Sequence, residues 1–325
     1  MTLDEIRALA AADMAAVDRT IRTRLNSAVP LVETVADHII AGGGKRLRPL
    51  VVVLAAHAAT GRAPDDGRHL DAAAFIEFIH TATLLHDDVV DHSSKRRGRD
   101  TANALFGNEA SVLVGDFVYS RAFQIMATTG SQRVIEIMAD ATNVIAEGEV
   151  LQLMNAHDPD TSEQRYLEVI HRKTARLFEA GAEVAAVLSG ADERVQQALA
   201  LYGRHLGAAF QLIDDVLDYR SDPATRGKNL GEDLAEGKPT LPLIHALRES
   251  RDADRALLRA AVEEPVNADM DAVIALIDRS GGIEYTRALA QREAARSSDC
   301  LALLPDSRWR DALSGLAIAS VERDH

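Results

Sequence analysis

The sequence predicts an all-α protein, and three observations carry that expectation. Apolar residues make up 47% of the 325 residues, yet aromatics only 4%, and alanine, the best helix former, is abundant. Long stretches mix acids, bases and apolar residues at helical spacing. No strand–helix alternation, tandem repeat or low-complexity linker interrupts them, and turn residues never cluster strongly enough to mark a boundary. One domain over residues 1–325 is therefore the simplest expectation.

The elements follow in order. Residues 1–30, opening "MTLDEIRALAAADMAAVDRTIRTRL", form an amphipathic helix rather than a signal peptide, and are a candidate dimer contact. "AGGGKRLRP" (Ala41 to Pro49) breaks the next helix, with Pro49 placed to open the one after it. The apolar run Leu50 to Ala59 is too short to span a membrane. "HSSKRRGRD" (His92 to Asp100) is a polar loop. "NAHDPDTSEQ" (Asn155 to Gln164) is a turn in which Thr161 and Gln164 fit a capping box. "SDPATRGKNLGEDLAEGKP" (Ser221 to Pro239) is the longest helix-poor stretch, and loops of that length inside a domain are usually functional.

Charge and thiols exclude some functions. The net charge is −14 and no block of basic residues occurs, so nucleic acid is not an expected partner. Cys300 is the only cysteine, which excludes an internal disulfide or a cysteine-rich zinc site and points to a reducing cytoplasm. The chain has 36 cationic residues, of which only Lys45, Lys95, Lys173, Lys228 and Lys238 are lysine. Where arginine is the default cation, a retained lysine marks a place for a compact ammonium, which binds phosphate as a point charge.

The stretch "LLHDDVVDHSSKRRG" crowds Asp87, Asp88 and Asp91 just ahead of Lys95, Arg96 and Arg97. On a helix, Asp87 and Asp91 share a face and Asp88 lies at its edge, a like-charge arrangement that destabilises the helix unless something stands between the carboxylates. "FQLIDDVLDY" repeats the D-D-x-x-D spacing at Asp214, Asp215 and Asp218. Both copies follow apolar stretches, so both are expected on inner faces. Carboxylates without soft ligands suit a hard cation, typically magnesium, which keeps several waters and bridges to phosphates. Lys45 with Arg48, Arg96 with Arg97, Lys173 with Thr174, and Lys228 with Lys238 are candidate phosphate clamps. "GGGKR" lacks the Walker A spacing, so a diphosphate held by metal on one side and cations on the other is the expected ligand.

In this order, "GGKRLRP", "HTATLLHDDVVD", "RRG", "KTA", "FQLIDDVLD" and "GKNLGEDLAEGKPTLP" resemble the trans-isoprenyl diphosphate synthases, the polyprenyl synthetases, over essentially the whole chain. "EFIHTATLLHDDVVD" and "LVGDFVYSRAFQIM" look most like the long-chain members that make quinone side chains. The resemblance implies an isoprenoid-synthase-type helical bundle around a deep central cavity, usually a cytoplasmic homodimer, whose product passes to the membrane. It implies condensation of isopentenyl diphosphate onto a farnesyl or geranyl diphosphate, to an octaprenyl product or else a decaprenyl or solanesyl one. By resemblance, both aspartate motifs hold up to three Mg2+ ions, with Mn2+ as a substitute. Arg96, Lys173, Thr174, Gln211, Lys228 and Lys238 look like the allylic diphosphate contacts. Lys45, Arg48, His80 and Arg97 look like the isopentenyl diphosphate site. His86 is read as packing or hydrogen bonding. Ala82 and Thr83, five and four residues before Asp87, are where short-chain relatives place a bulky ring. Here they leave the tail path open, with Phe123 and Met126 as the next candidates for its floor.

Other classes share single features. Glu77–His80 and Glu168–His171 are both Glu-x-x-His, similar to di-iron carboxylate bundles. A class I terpene cyclase shares the first acidic motif but usually carries an Asn/Ser/Glu-type second one. A non-catalytic partner subunit generally loses one acidic motif, and here both are intact.

Overall fold

The computed structural model describes residues 1–62, 64, 66–96, 98–220 and 230–323. Among them the regular structure is helical apart from one hairpin of two-residue strands, β1 (Lys95–Arg96) paired antiparallel with β2 (Arg99–Asp100). In chain order the helices are α1 (Leu3–Arg24), α2 (Pro30–Ala41), α3 (Leu47–Thr60), α4 (Arg68–Val90), α5 (Ala102–Phe106), α6 (Asn108–Thr128), α7 (Gln132–Asn155) and α8 (Glu163–Ile170). A π-helical turn, His171–Ala175, leads into α9 (Arg176–Leu188). Then come α10 (Glu193–Asp218), α11 (Glu232–Ala235), α12 (Leu241–Glu249), α13 (Asp252–Glu263), α14 (Met270–Ser280), α15 (Gly282–Cys300) and α16 (Arg308–Val321). Two units emerge. The first comprises Met1–Thr142, Leu177–Gly203 and Ser298–Leu316, and the second Asn143–Arg176, Arg204–Ser297 and the stretch from Ala317.

In the first unit, local chemistry sets each helix. Thr2 and Glu5 close a capping box on α1, with Glu5 N–H donating to Thr2 Oγ1 at 3.3 Å and Thr2 N–H to Glu5 Oε2 at 2.8 Å. Its acidic first turn and basic last turn suit the helix dipole, and Ile6, Ala10, Val17 and Ile21 form its buried stripe. Pro30 opens α2 at its first position, where a missing N–H costs nothing. After the glycine break the chain enters α3 through Arg46, at φ 46°. Pro49 sits in the first turn of α3, which begins two residues earlier at Leu47. Leu50 to Ala59 are buried almost all round, so this apolar run is a core helix. No helix among the described residues is long and apolar enough to cross a membrane.

In the second unit, one core gathers Val216, Tyr219, Leu243 and Ile277, and another Tyr166, Leu212, Ile213 and Ile244. The cap of α8 differs from the expected box. Ser162, not Thr161, takes the N-cap, its Oγ accepting from Arg165 N–H at 3.2 Å. Thr161 is drawn into the preceding turn, where its N–H bonds Asp158 O at 3.2 Å and its side chain is buried. Either hydroxyl could have capped the helix, and the turn geometry decided between them.

Within the first unit, α9 and the start of α10 pack backbone to backbone. A Cβ on Gly203 would lie 2.4 Å from the carbonyl oxygen of Phe178. Because backbone cannot yield as a flexible side chain can, Gly203→Ala is expected to destabilise the protein by about 1–3 kcal/mol. The urea midpoint should fall with an unchanged slope, and a midpoint within error of wild type would show that the helices separate freely.

Candidate active site

In the first unit the acidic motif closes α4: Asp87 and Asp88 occupy its last turn and Asp91 is its C-cap. Asp88 is the buried member, and Asp87 and Asp91 are half-buried. Arg96, on β1, donates to Asp88 Oδ1 from Nε at 2.9 Å and from Nη2 at 2.7 Å. Burial pushes the Asp88 carboxyl above the usual carboxylate range, Arg96 opposes that, and Asp87 and Asp91 add to it. The polar loop is tied to the same helix end. Ser93 N–H bonds Asp88 O at 3.0 Å, and Asn103 Nδ2 donates to both Asp88 O (3.0 Å) and Ser93 O (3.1 Å).

Arg48 on α3 faces His80 on α4, with Nη1 and Nε2 3.1 Å apart, and the Arg48 guanidinium lies 4.5 Å from the Phe178 ring centre. Stacking and hydrogen bonding fix this cation in one orientation. Lys45 is exposed in the glycine-rich break. An open cleft of ≈ 880 Å³ in this unit is lined by Gly42, Gly43, His80, Asp88 and Arg96. Arg97 lies outside the described residues. His86 faces α6: its Nε2 is 3.3 Å from Val112 O and 3.5 Å from Asp116, and a Cβ on Gly115 would meet it at 2.3 Å. The glycine makes room for the imidazole, in keeping with a packing and hydrogen-bonding role.

In the second unit the acidic motif closes α10. Asp215 is buried and accepts hydrogen bonds from Tyr166 Oη and, at 2.8 Å, from Gln211 Nε2. Gln211 Oε1 in turn accepts from Thr174 Oγ1 at 3.0 Å. Burial drives the Asp215 carboxyl well above its ordinary range, Asp233 and Asp214 add to the rise, and the Tyr166 and Gln211 bonds oppose it. Asp218, also buried, accepts from Asp233 N–H at 3.2 Å. The π-helical turn carries Lys173 and Thr174, and such turns recur at functional sites. Lys173 Nζ contacts Gln152 Oε1 at 2.8 Å and Glu149 Oε2 at 2.5 Å. Lys238 Nζ lies 2.7 Å from Glu236 Oε2. Lys173, Thr174, Gln211, Asp215 and Lys238 line one cleft of ≈ 550 Å³. Lys228 lies outside the described residues.

Some participants carry no signal in the sequence. Tyr166 and Asp233 reach the second motif only through folding. Arg323, near the chain's end, pairs with Asp214 at 2.8 Å, donates to Phe210 O at 2.6 Å and stacks 3.8 Å from the Phe210 ring centre. Of the proposed chain-length positions, Ala82 and Met126 are fully buried, while Thr83 and Phe123 are half-buried. Thr83 Oγ1 donates to His80 O at 2.9 Å. The Glu-x-x-His pairs are engaged elsewhere: Glu77 takes Arg46 at 2.6 Å, and Glu168 takes Arg172 at 3.0 Å. Both carboxylates are therefore neutralised by arginine, contrary to a di-iron centre.

The donor set fits a hard divalent ion, since each motif offers three carboxylates and no thiolate or imidazole among them. The polyprenyl synthetase family model matches residues 29–278. The chain belongs to the polyprenyl synthetase family. It is a prenyltransferase, and its fold is the helical one of the polyprenyl synthases. It is 51% identical to an octaprenyl diphosphate synthase of Escherichia coli over 325 residues, all of both chains. It is 44% identical to a geranyl-diphosphate-specific all-trans-nonaprenyl-diphosphate synthase of Rhodobacter capsulatus, covering 98% of this chain and 97% of that one. A Caulobacter crescentus polyprenyl synthase, complexed with calcium and isoprenyl diphosphate, superposes with a TM-score of 0.95 at 47% identity, over 100% of this chain and 98% of that one. Prenyl transfer in this family is metal-dependent.

Arg323 already occupies Asp214, so a divalent ion taken up by the second motif would compete with it. Losing this largely buried ion pair, worth about 1 kcal/mol, corresponds to about a fivefold change in an equilibrium. Arg323→Gln should keep the helical circular-dichroism signal and lower the divalent-ion concentration for half-maximal prenyl transfer by that factor. An unchanged metal dependence would mean that the pair does not compete with the ion.

Proposed function

We propose that the protein is a long-chain trans-polyprenyl diphosphate synthase, joining isopentenyl diphosphate head to tail onto farnesyl or geranyl diphosphate to give an octaprenyl (C40) product for a quinone side chain. The observation that carries this reading is the end-to-end 51% identity to an octaprenyl diphosphate synthase, with both acidic motifs intact. On this reading residues 1–325 act as one catalytic domain.

Asp87, Asp88 and Asp91, with Asp214, Asp215 and Asp218, would hold Mg2+, which when bound neutralises charge on the allylic diphosphate. Arg96, Lys173, Thr174, Gln211, Lys228 and Lys238 would bind that diphosphate and stabilise the negative charge it gains as the allylic carbon–oxygen bond breaks. The bonding electrons leave with the diphosphate, and an allylic cation remains. Lys45, Arg48, His80 and Arg97 would hold isopentenyl diphosphate so that its double bond attacks the cation and forms the new carbon–carbon bond. The departing diphosphate then accepts the proton lost from the isopentenyl unit. Arg48 supports this assignment because its contacts to His80 and Phe178 orient it before substrate arrives. Apolar side chains on the tail path exclude water that would quench the cation.

We also propose a homodimer. Leu105 on α5 and Leu113 on α6 are 50% and 67% exposed, a level of apolar exposure that a partner subunit would cover.

The direct test is to incubate the purified protein with farnesyl diphosphate, isopentenyl diphosphate and Mg2+ and to size the product. Asp87→Ala and Asp214→Ala should each cost about 3–4 kcal/mol of transition-state stabilisation, nearly abolishing turnover with the helical fold intact. Full activity in excess EDTA would eliminate the mechanism.

Chain length has its own test. The tail runs from the diphosphate along α4 toward its N-terminus, past the residues one turn before Asp87. Ala82→Phe should shorten the product to about C15–C20 while the first condensation survives, because a ring there obstructs only the tail. Release of octaprenyl or longer product by this variant would move the floor to Phe123 or Met126.

A further inference from the structure

The first unit holds a second group of ligating side chains, away from the acidic motif. Asp13 on α1, His57 on α3 and His69 on α4 each present one ligand atom, all within 4.8 Å of one another. Both imidazoles are 4% exposed. His57 Nε2 is 2.6 Å from Asp13 Oδ2, and His69 Nε2 is 3.9 Å from the same oxygen. The remaining polar atoms are the unusual feature. Both ring nitrogens of His69, and Nδ1 of His57, are buried with no hydrogen-bond partner among the described residues. Buried polar groups are nearly always satisfied, so each such group calls for an explanation. An imidazole whose Nε2 faces a carboxylate and a second imidazole, with nothing bonded to it, is placed as a metal ligand is placed.

We propose that Asp13, His57 and His69 bind a borderline transition-metal cation of the Zn2+ type. Two imidazoles and one carboxylate disfavour Mg2+ and Ca2+, which prefer oxygen, and suit Zn2+ or Co2+. Bonds of about 2.0–2.1 Å in a tetrahedron put neighbouring ligand atoms roughly 3.4 Å apart. The observed separations of 2.6 and 3.9 Å lie on either side of that value, so small side-chain rotations close the site. Asp13 is only half-buried, which leaves room for water as the fourth ligand. The ion would bridge α1, the last turn of α3 and the first turn of α4. His69 stands eighteen residues before Asp87 on α4, roughly 27 Å along the helix. The site is therefore structural, separate from the first acidic motif.

The chain supplies its own reporter. Trp309 is the only tryptophan, and its ring stacks on His57 with centres 3.9 Å apart. Co2+, a paramagnetic ion, bound to His57 should quench Trp309 fluorescence, whereas the same ion on the first acidic motif is too distant to do so. The experiment titrates EDTA-treated full-length protein with Co2+ while following tryptophan emission. Saturable quenching near one equivalent is expected, reversed by Zn2+ and insensitive to millimolar Mg2+. His69→Gln should weaken this binding at least tenfold and remove the Zn2+-dependent rise in Tm, while Mg2+-dependent prenyl transfer stays unchanged. Because the His69 side chain makes no hydrogen bond among the described residues, its replacement removes none and the variant should fold. Asp13→Asn, which can keep the contact to His57, should also weaken Co2+ binding. Equal quenching of wild type and His69→Gln, displacement of Co2+ by Mg2+, or no quenching and no Tm shift with Zn2+ would each overturn the proposal.

Discussion

Repulsion between carboxylates is the constraint on which the rest of the structure depends. Each acidic motif sets three aspartates at the C-terminal end of a long helix, α4 in one unit and α10 in the other. That end of a helix already carries partial negative charge, and neither last turn contains a basic residue. Both the local charge pattern and the helix dipole therefore work against stability. A helix end of this kind attracts cations strongly. On the proposed function, the same features that weaken the fold would favour a divalent ion and the diphosphate it carries.

The protein offsets this cost differently at each motif. At α4, the buried Asp88 is held by two bonds from Arg96, and Asn103 ties the following loop to the same helix end. At α10, the buried Asp215 has neutral partners, Tyr166 and Gln211, and the guanidinium goes to the more accessible Asp214. A hydroxyl and an amide satisfy a buried carboxylate without cancelling its charge. Asp88 and Asp215 both have raised proton affinity, the expected consequence of removing them from water while like charges stand nearby. A bound divalent ion would relieve that strain.

The cations show a comparable economy. Arg46 and Arg48 stand two residues apart, yet Arg46 pairs with Glu77 on the cleft wall and Arg48 faces His80. Arg46 locks the entrance of α3 to Glu77, while Arg48 stacks on Phe178. Lys173 and Lys238 each rest against glutamates. A compact ammonium on a long stem can exchange such a partner for phosphate with little rearrangement.

The sequence by itself determined the all-α class, the breaks at "AGGGKRLRP" and "HSSKRRGRD", and the two aspartate motifs with their attendant cations. These are local properties: helical periodicity, glycine and proline, and like charges repeated at one spacing. It did not determine which aspartates of each trio are buried, because Asp87 and Asp88 look equivalent until α4 packs. Nor could it choose Ser162 over Thr161 as the cap of α8, since both hydroxyls were available and the preceding turn decided. Tyr166, Asp233 and Arg323 reach the second motif, and Asp13, His57 and His69 reach one another, only through tertiary structure. These contacts join residues on different elements, from a dozen to more than a hundred positions apart, and no local pattern encodes a meeting that depends on how the elements pack.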